Sequence, residues 1–103
     1  MRSTVDVTHE PDHHRWVAHL DDRQAGVLEY IPAGHLVVMT HTEVDPVFEG
    51  RGVGGALARA ALDDARAQGV LVLALCPFVK AWIARHPDYR DLDYQAPRST
   101  AVD

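Results

Sequence analysis

A short alternation of apolar and polar positions opens the chain, further extended segments rich in apolar residues follow, and from Val53 a four-residue repeat replaces them. In Thr4-Val5-Asp6-Val7-Thr8 the β-branched residues alternate as a half-buried strand requires. A polar connection broken by proline, His9-Glu10-Pro11-Asp12-His13-His14, follows. Residues 15–20, Arg-Trp-Val-Ala-His-Leu, predict a second strand closed by a turn at Asp21-Asp22, and residues 24–31 predict a third. Pro32-Ala33-Gly34 then supplies a hairpin into a fourth strand over 36–44. Such short connections imply an antiparallel meander.

Beyond it, Val53, Leu57, Ala61 and Ala65 recur every four residues, and Ala58 and Leu62 widen the stripe. Arg59, Asp63, Asp64, Arg66 and Gln68 fall largely on the other side, so the alanine-rich stretch 56–68 predicts a helix, with Gly69 as its left-handed terminator. Residues 70–75, Val-Leu-Val-Leu-Ala-Leu, are apolar without alternation and predict a central strand covered on both faces. A strand–helix–strand crossover of this length pairs its strands in parallel. Pro77 suits a first helical position, Phe78, Val79, Trp82 and Ile83 make one stripe, and Pro87 ends that second helix. Trp16 and Trp82 read most simply as core or rim residues, and Arg85-His86 as cations at a helix C-terminus. Tyr89, Leu92 and Tyr94 are expected to pack in part, and residues 96–103 to fray. The expected fold class is α/β with a mixed sheet. One domain covers residues 1–95: an antiparallel meander, then strand, glycine loop, helix, strand and helix.

Composition narrows the function. With 103 residues, 47% of them hydrophobic and 24% charged, the chain is an ordinary globular domain with one modest core. A net charge of −5 weighs against a nucleic-acid partner, which would call for a basic stripe. Cys76 is the one cysteine, so the chain has no internal disulfide and no cysteine-based zinc site; a lone thiol fits a reducing compartment. The longest apolar run, 70–76, is far below the ~20 residues of a membrane span. The N-terminus has no apolar signal region, and the cytoplasm is the expected location. His9, His13 and His14 offer no thiolate and no fourth ligand, and read as a solvated loop rather than a metal site.

The chemistry concentrates at the junction of strand and helix, Val44-Asp45-Pro46-Val47-Phe48-Glu49-Gly50-Arg51-Gly52-Val53-Gly54-Gly55. A strand, a glycine turn and a helix start present backbone N–H groups at the positive end of a helix dipole, a seat for a phosphate or pyrophosphate. A bare turn that binds nothing is the alternative. A P-loop would end in Gly-Lys-Ser/Thr, whereas this loop ends in Gly-Gly-Ala. A dinucleotide fingerprint would follow the first strand of a parallel unit, not the fourth of a meander.

This order of elements resembles the GNAT superfamily of acetyl-CoA-dependent N-acetyltransferases. That superfamily's loop has Arg or Gln, two residues, Gly, one residue, then Gly or Ala; here the frame reads Glu49-Gly50-Arg51-Gly52-Val53-Gly54, with an acid in the first place. Arg51 could supply the missing charge. The chain is more closely similar to the short stand-alone GNAT-like proteins of the YjdJ type, in which an acid at that place is ordinary. The similarity lies in His41-Thr42-Glu43-Val44, in Phe48 to Gly54, and in Cys76-Pro77-Phe78-Val79 followed by Arg85-His86-Pro87-Asp88-Tyr89.

The resemblance implies acetyl-CoA as cofactor, with its pyrophosphate on Glu49, Gly50, Arg51, Gly52, Val53, Gly54 and Gly55 and its pantetheine arm along Glu43, Val44 and Asp45. The strands 36–44 and 70–75 would have to part near their ends to free backbone groups for it. The implied reaction is acetyl transfer to a small-molecule or protein amine; a CoA-binding module acting through a protein partner is the other reading. Helices between the first two strands and strands after the last helix, present in larger relatives, have no counterpart here. The acceptor site should be open, or completed by a second subunit such as a homodimer partner.

Three residues are catalytic candidates. Cys76 falls at the cap of the second helix, where the dipole lowers a thiol's pKa; it would be a nucleophile or line the acetyl pocket, against the plainer role of a small buried hydrophobe. His41 is a candidate base that would approach Cys76 where the strands part, or else a histidine pointing out of the sheet. Glu43 shares the face of His41 and is its partner or an alternative base.

Overall fold

The computed structural model describes residues 4–95. The expected fraying of 96–103 lies outside the described residues.

A five-stranded mixed sheet carries the fold, with its strands in sequence order. The first four, β1 (Asp6–Glu10), β2 (Arg15–Leu20), β3 (Arg23–Ala33) and β4 (Leu36–Val44), form the antiparallel meander. β1 starts later than the alternation suggested and takes in His9 and Glu10, so the connection shrinks to a 3-10 turn, Pro11–His13. Between β2 and β3, Asp21 and Asp22 both have positive φ, 54° and 60°, as a type I′ hairpin turn requires.

Helix α1 (Val53–Gln68) follows, then β5 (Leu71–Ala74), parallel to β4, and α2 (Pro77–Arg85). α1 ends in a Schellman motif: Gly69 N–H donates to the Arg66 carbonyl and Val70 N–H to the Ala65 carbonyl, both at 3.1 Å, with Gly69 at φ 71°. Its stripe of Val53, Leu57, Ala58, Ala61, Leu62 and Ala65 is buried against Ala18, Leu28, Met39 and Val72 of the sheet. At roughly 25 cal/mol per Å² of apolar surface, that burial is what holds a helix of mostly small residues in place. α2 adds Val79, Trp82 and Ile83 to the same core. A 3-10 segment, Pro87–Leu92, closes the layer by burying Tyr89 and Leu92.

β5 corrects one expectation. Residues 70–75 do not form a central strand covered on both faces. β5 is the sheet edge, paired with β4 and, by a single bridge, with Asp93. Val72 is buried against the helices, but Leu71 is 40% and Leu75 61% exposed. An uninterrupted apolar run does not distinguish a strand sandwiched between helices from one whose outer face has no covering element among the described residues. No helix of the described residues is long and apolar enough to cross a membrane.

Candidate functional site

β4 and β5 part, and the site forms where they do. Their pairing ends at Met39 and Ala74. The Met39 carbonyl then accepts from both Leu75 N–H and Cys76 N–H, at 3.0 and 3.1 Å, as the chain turns off into α2. β4 runs on to Val44, its edge no longer paired with β5. At this same point the β3–β4 register slips: Glu29 faces His41 and Tyr30 faces Met39, leaving Thr40 as the extra residue of a bulge. A bulge re-aims the residues after it, here Thr42 and Val44.

The glycine loop is built stepwise. Asp45 Oδ1 accepts from Val47 N–H at 3.0 Å and opens a 3-10 turn, Pro46–Phe48, that buries Phe48. A type II turn follows: Glu49 has φ −56° and ψ 141°, Gly50 has φ 79°, and Arg51 N–H donates to the Phe48 carbonyl at 3.2 Å. Gly52, at φ 81°, is the N-cap of α1 and brings no side-chain cap, and the first turn holds no acid. The first helical bond runs from Ala56 N–H to the Gly52 carbonyl, so the N–H groups of Val53, Gly54 and Gly55 have no partner within the helix. They are the donors an anion would meet.

A cleft of about 460 Å³ adjoins them, lined by Thr42, Val44, Phe48, Glu49, Gly50, Gly52, Val53, Gly54, Gly55 and Phe78. Arg51 is exposed outside this lining, and Glu43 and Asp45 line a separate hollow of about 310 Å³ beside β3. Gly54 has a different task from Gly50 and Gly52. A Cβ there would lie 2.6 Å from Phe78 Cζ, so its bare backbone lets the α2 ring close the cleft wall.

Cys76 caps α2 at φ −72° and ψ 123° and is 4% exposed. Its Sγ lies 3.4 Å from Thr42 Oγ1. Burial works to raise the thiol pKa, but hydrogen bonds to the thiolate from Thr42, from the Val79 and Phe78 N–H groups and from the Thr42 backbone outweigh it, and the net shift is downward.

His41 stands elsewhere. Successive residues of a strand face opposite sides, so Thr42 turns to the cleft while His41 and Glu43 turn to the other face. The structure does not show the approach of His41 to Cys76 expected from the sequence: Thr42 makes that contact. His41 Nε2 lies 3.6 Å from Glu43 Oε2, with both side chains largely in solvent. Thr42 and Phe78 were not singled out by sequence reasoning. For Thr42 the signal was present, because β alternation excludes His41 from any face that Thr42 shares with the cleft. For Phe78 no signal existed, since its ring meets Gly54 only through the packing of α2 on α1.

Sheet, bulge, glycine turn and helix start together define an acetyltransferase fold of the GCN5-like kind. The chain belongs to the family described as GCN5-related N-acetyl-transferase, whose profile matches residues 15–92. It is 26% identical over 96 residues to Protein NATD1 of Gallus gallus, covering 90% of this chain and 86% of that protein. Among solved structures it resembles a GCN5-like putative N-acetyltransferase from Staphylococcus aureus, with TM-score 0.69 and 18% identity over 92% of this chain and 93% of that one. The ribosomal-protein-S18-alanine N-acetyltransferase of Escherichia coli shares the fold at TM-score 0.58 and 14% identity, over 70% of this chain and 65% of that one.

Proposed function

We propose that this chain is an acetyl-CoA-dependent N-acetyltransferase similar to the YjdJ-type members of its family, acting on an amine. The observation that carries the reading is the uncapped start of α1 beside the parted strands: three N–H groups without helical partners, two positive-φ glycines and no acid in the first turn. The residues present fit acetyl-CoA. Glu49 to Gly55 would hold the pyrophosphate on backbone amides, with Arg51 adding charge. On the edge of β4 that β5 leaves unpaired, Val44 would bond the pantetheine amides, whereas Asp45 N–H already donates to the Ala25 carbonyl at 2.8 Å. When bound, the cofactor supplies an acyl group activated as a thioester.

The chain's own residues supply the rest. Thr42 and the first N–H groups of α2 favour the thiolate of Cys76, a nucleophile able to accept an acyl group. Glu43 and His41, 3.6 Å apart on the other face of β4, would take a proton from an ammonium group approaching from that side. Direct transfer would need only Glu43 or His41 as base, whereas the other route passes the acyl group to the Cys76 thiolate, with CoA thiolate leaving, before the amine attacks. A second copy of the chain would complete the open acceptor side at the exposed edge of β5. A cytoplasmic location keeps Cys76 reduced.

One observation favours a second reading. His41 and Cys76 lie on opposite sides of β4, which suits a module that binds acyl-CoA and acts through a protein partner. Calorimetric titration with acetyl-CoA, with ATP and NAD as controls, tests both readings: saturable binding of acetyl-CoA alone supports them, and no binding at millimolar ligand overturns them. Release of free CoA thiol with a panel of amines separates the two. Turnover lost in Cys76→Ala, His41→Ala or Glu43→Ala with binding retained marks the enzyme; binding without turnover marks the module.

A further inference from the structure

A third cavity, of about 270 Å³, opens at the other end of α1. Asp64 and Gln68 on its rim lie ten and fourteen residues beyond Gly54, which is about 15–20 Å along the axis at 1.5 Å per residue. It belongs to no part of the acyl-transfer site.

Four aromatic rings line it: His9 from β1, His14 from the β1–β2 connection, Trp16 from β2 and Tyr30 from β3. The rings are organised. His9 stacks on Trp16 at 4.0 Å and 5°, and its Nε2 meets the Tyr30 hydroxyl at 2.6 Å. His14 lies 5.7 Å from the Tyr30 ring and is held there by a left-handed backbone, φ 49°. Met39 contributes to an apolar floor, and no lysine or arginine is among the lining residues. Asp64 stands at the rim, its Oδ2 accepting from Gln68 Nε2 at 2.6 Å. Its charge reaches inward: burial first and Asp64 second raise the pKa of Tyr30.

Aromatic faces, one carboxylate and no cation make an electronegative box. A primary ammonium would need three hydrogen-bond acceptors, yet the Tyr30 hydroxyl is engaged with His9 and the floor is apolar. A methylated ammonium needs none, and attraction to ring faces of ~0.5–2 kcal/mol each suffices to hold it. We propose that this cavity binds a methylated ammonium headgroup, seated among Trp16, Tyr30, His9 and His14 with Asp64 as counter-ion. The proposal is independent of acetyl transfer.

Choline and 3,3-dimethylbutan-1-ol have the same shape and differ in charge, and they form the test. Each is titrated into the full chain while the two tryptophan indole resonances are followed, with Trp16 assigned from Trp16→Phe. The expected result is saturation of the Trp16 shift by choline in the millimolar range, at least about tenfold tighter than the neutral alcohol, with Trp82 unmoved. Asp64→Asn, a change on the helix surface that leaves the core intact, is expected to weaken choline at least about fivefold and leave the alcohol unchanged. No saturable Trp16 shift up to about 100 mM choline, or equal affinity for the two probes, overturns the proposal. So does a choline affinity unaffected by Asp64→Asn.

Discussion

Cys76 Sγ lies 3.4 Å from Thr42 Oγ1, beyond the point at which β4 and β5 cease to pair. The contact joins a helix cap to a cleft-lining strand residue. Burial pushes the thiol pKa up, and this contact is among the hydrogen bonds that bring it down. A neutral thiol donates to Oγ1; a thiolate accepts from the hydroxyl and from the first N–H groups of α2.

The first prediction concerns that thiol. Alkylation of Cys76 by iodoacetamide should show a midpoint below the ordinary thiol value, because the net pKa shift is downward. Thr42→Val keeps the shape and removes the hydroxyl, so the midpoint should rise toward the unfolded value. The sign carries over to stability. Between the lowered folded pKa and the unfolded one, the unfolded chain binds more protons, so stability rises with pH there and the gain is lost as pH falls through the folded pKa. An alkylation midpoint unchanged in Thr42→Val would refute the role given to this contact.

Glu49 and Arg51 flank the turn with opposite charges. Glu49→Gln should tighten acetyl-CoA a few-fold and Arg51→Glu weaken it about tenfold, both effects shrinking as salt is raised. Equal affinities for the two variants would place the pyrophosphate elsewhere.

Gly54 and Phe78 form a packing pair. Gly54→Ala forces the Phe78 ring away and should cost about 1–3 kcal/mol in urea denaturation, the range for overpacking. Phe78→Leu introduced with it should recover part of the loss, so the two changes should not be additive. Additive costs would show that the ring is not the obstacle.

Tyr89 ties the last 3-10 segment to α1. Its hydroxyl donates to Asp63 Oδ1 at 2.8 Å and accepts from Arg59 Nη1 at 3.1 Å, and the hydrogen bond to Asp63 leads the causes that raise its pKa. Tyr89→Phe should destabilise the fold by about 0.5–1.5 kcal/mol, the net worth of a hydrogen bond, with the ring still packed. Thermal or urea unfolding of the variant measures it; a neutral effect would mean that solvent replaces both partners.

Much of this protein is local, and the local part was legible. Alternation marked the first strand, extended apolar and β-branched segments the next three, Asp21-Asp22 the turn between the second and third, the repeat of Val53, Leu57, Ala61 and Ala65 the long helix, and Gly69 its end. The reason is physical: side-chain period, left-handed φ and helix capping are decided by neighbours within a few residues. The glycine turn at the start of α1 was legible on the same terms, since Gly50 and Gly52 carry their positive φ whatever packs nearby.

What lay beyond reach depends on residues far apart in the chain. That β5 is an edge is decided by which elements cover it, not by its own run of Val and Leu. That Thr42 rather than His41 meets Cys76 depends on the bulge at Thr40 and the turn of the chain into α2. That Gly54 serves Phe78, and that His9 leaves its polar loop to stack on Trp16 beneath Asp64, are products of α1 lying across the sheet. Sequence determined the elements and the turn between them; tertiary packing alone decided which side chains share a cavity, because close-packed contacts are made between elements whose spacing in the chain carries no trace of them.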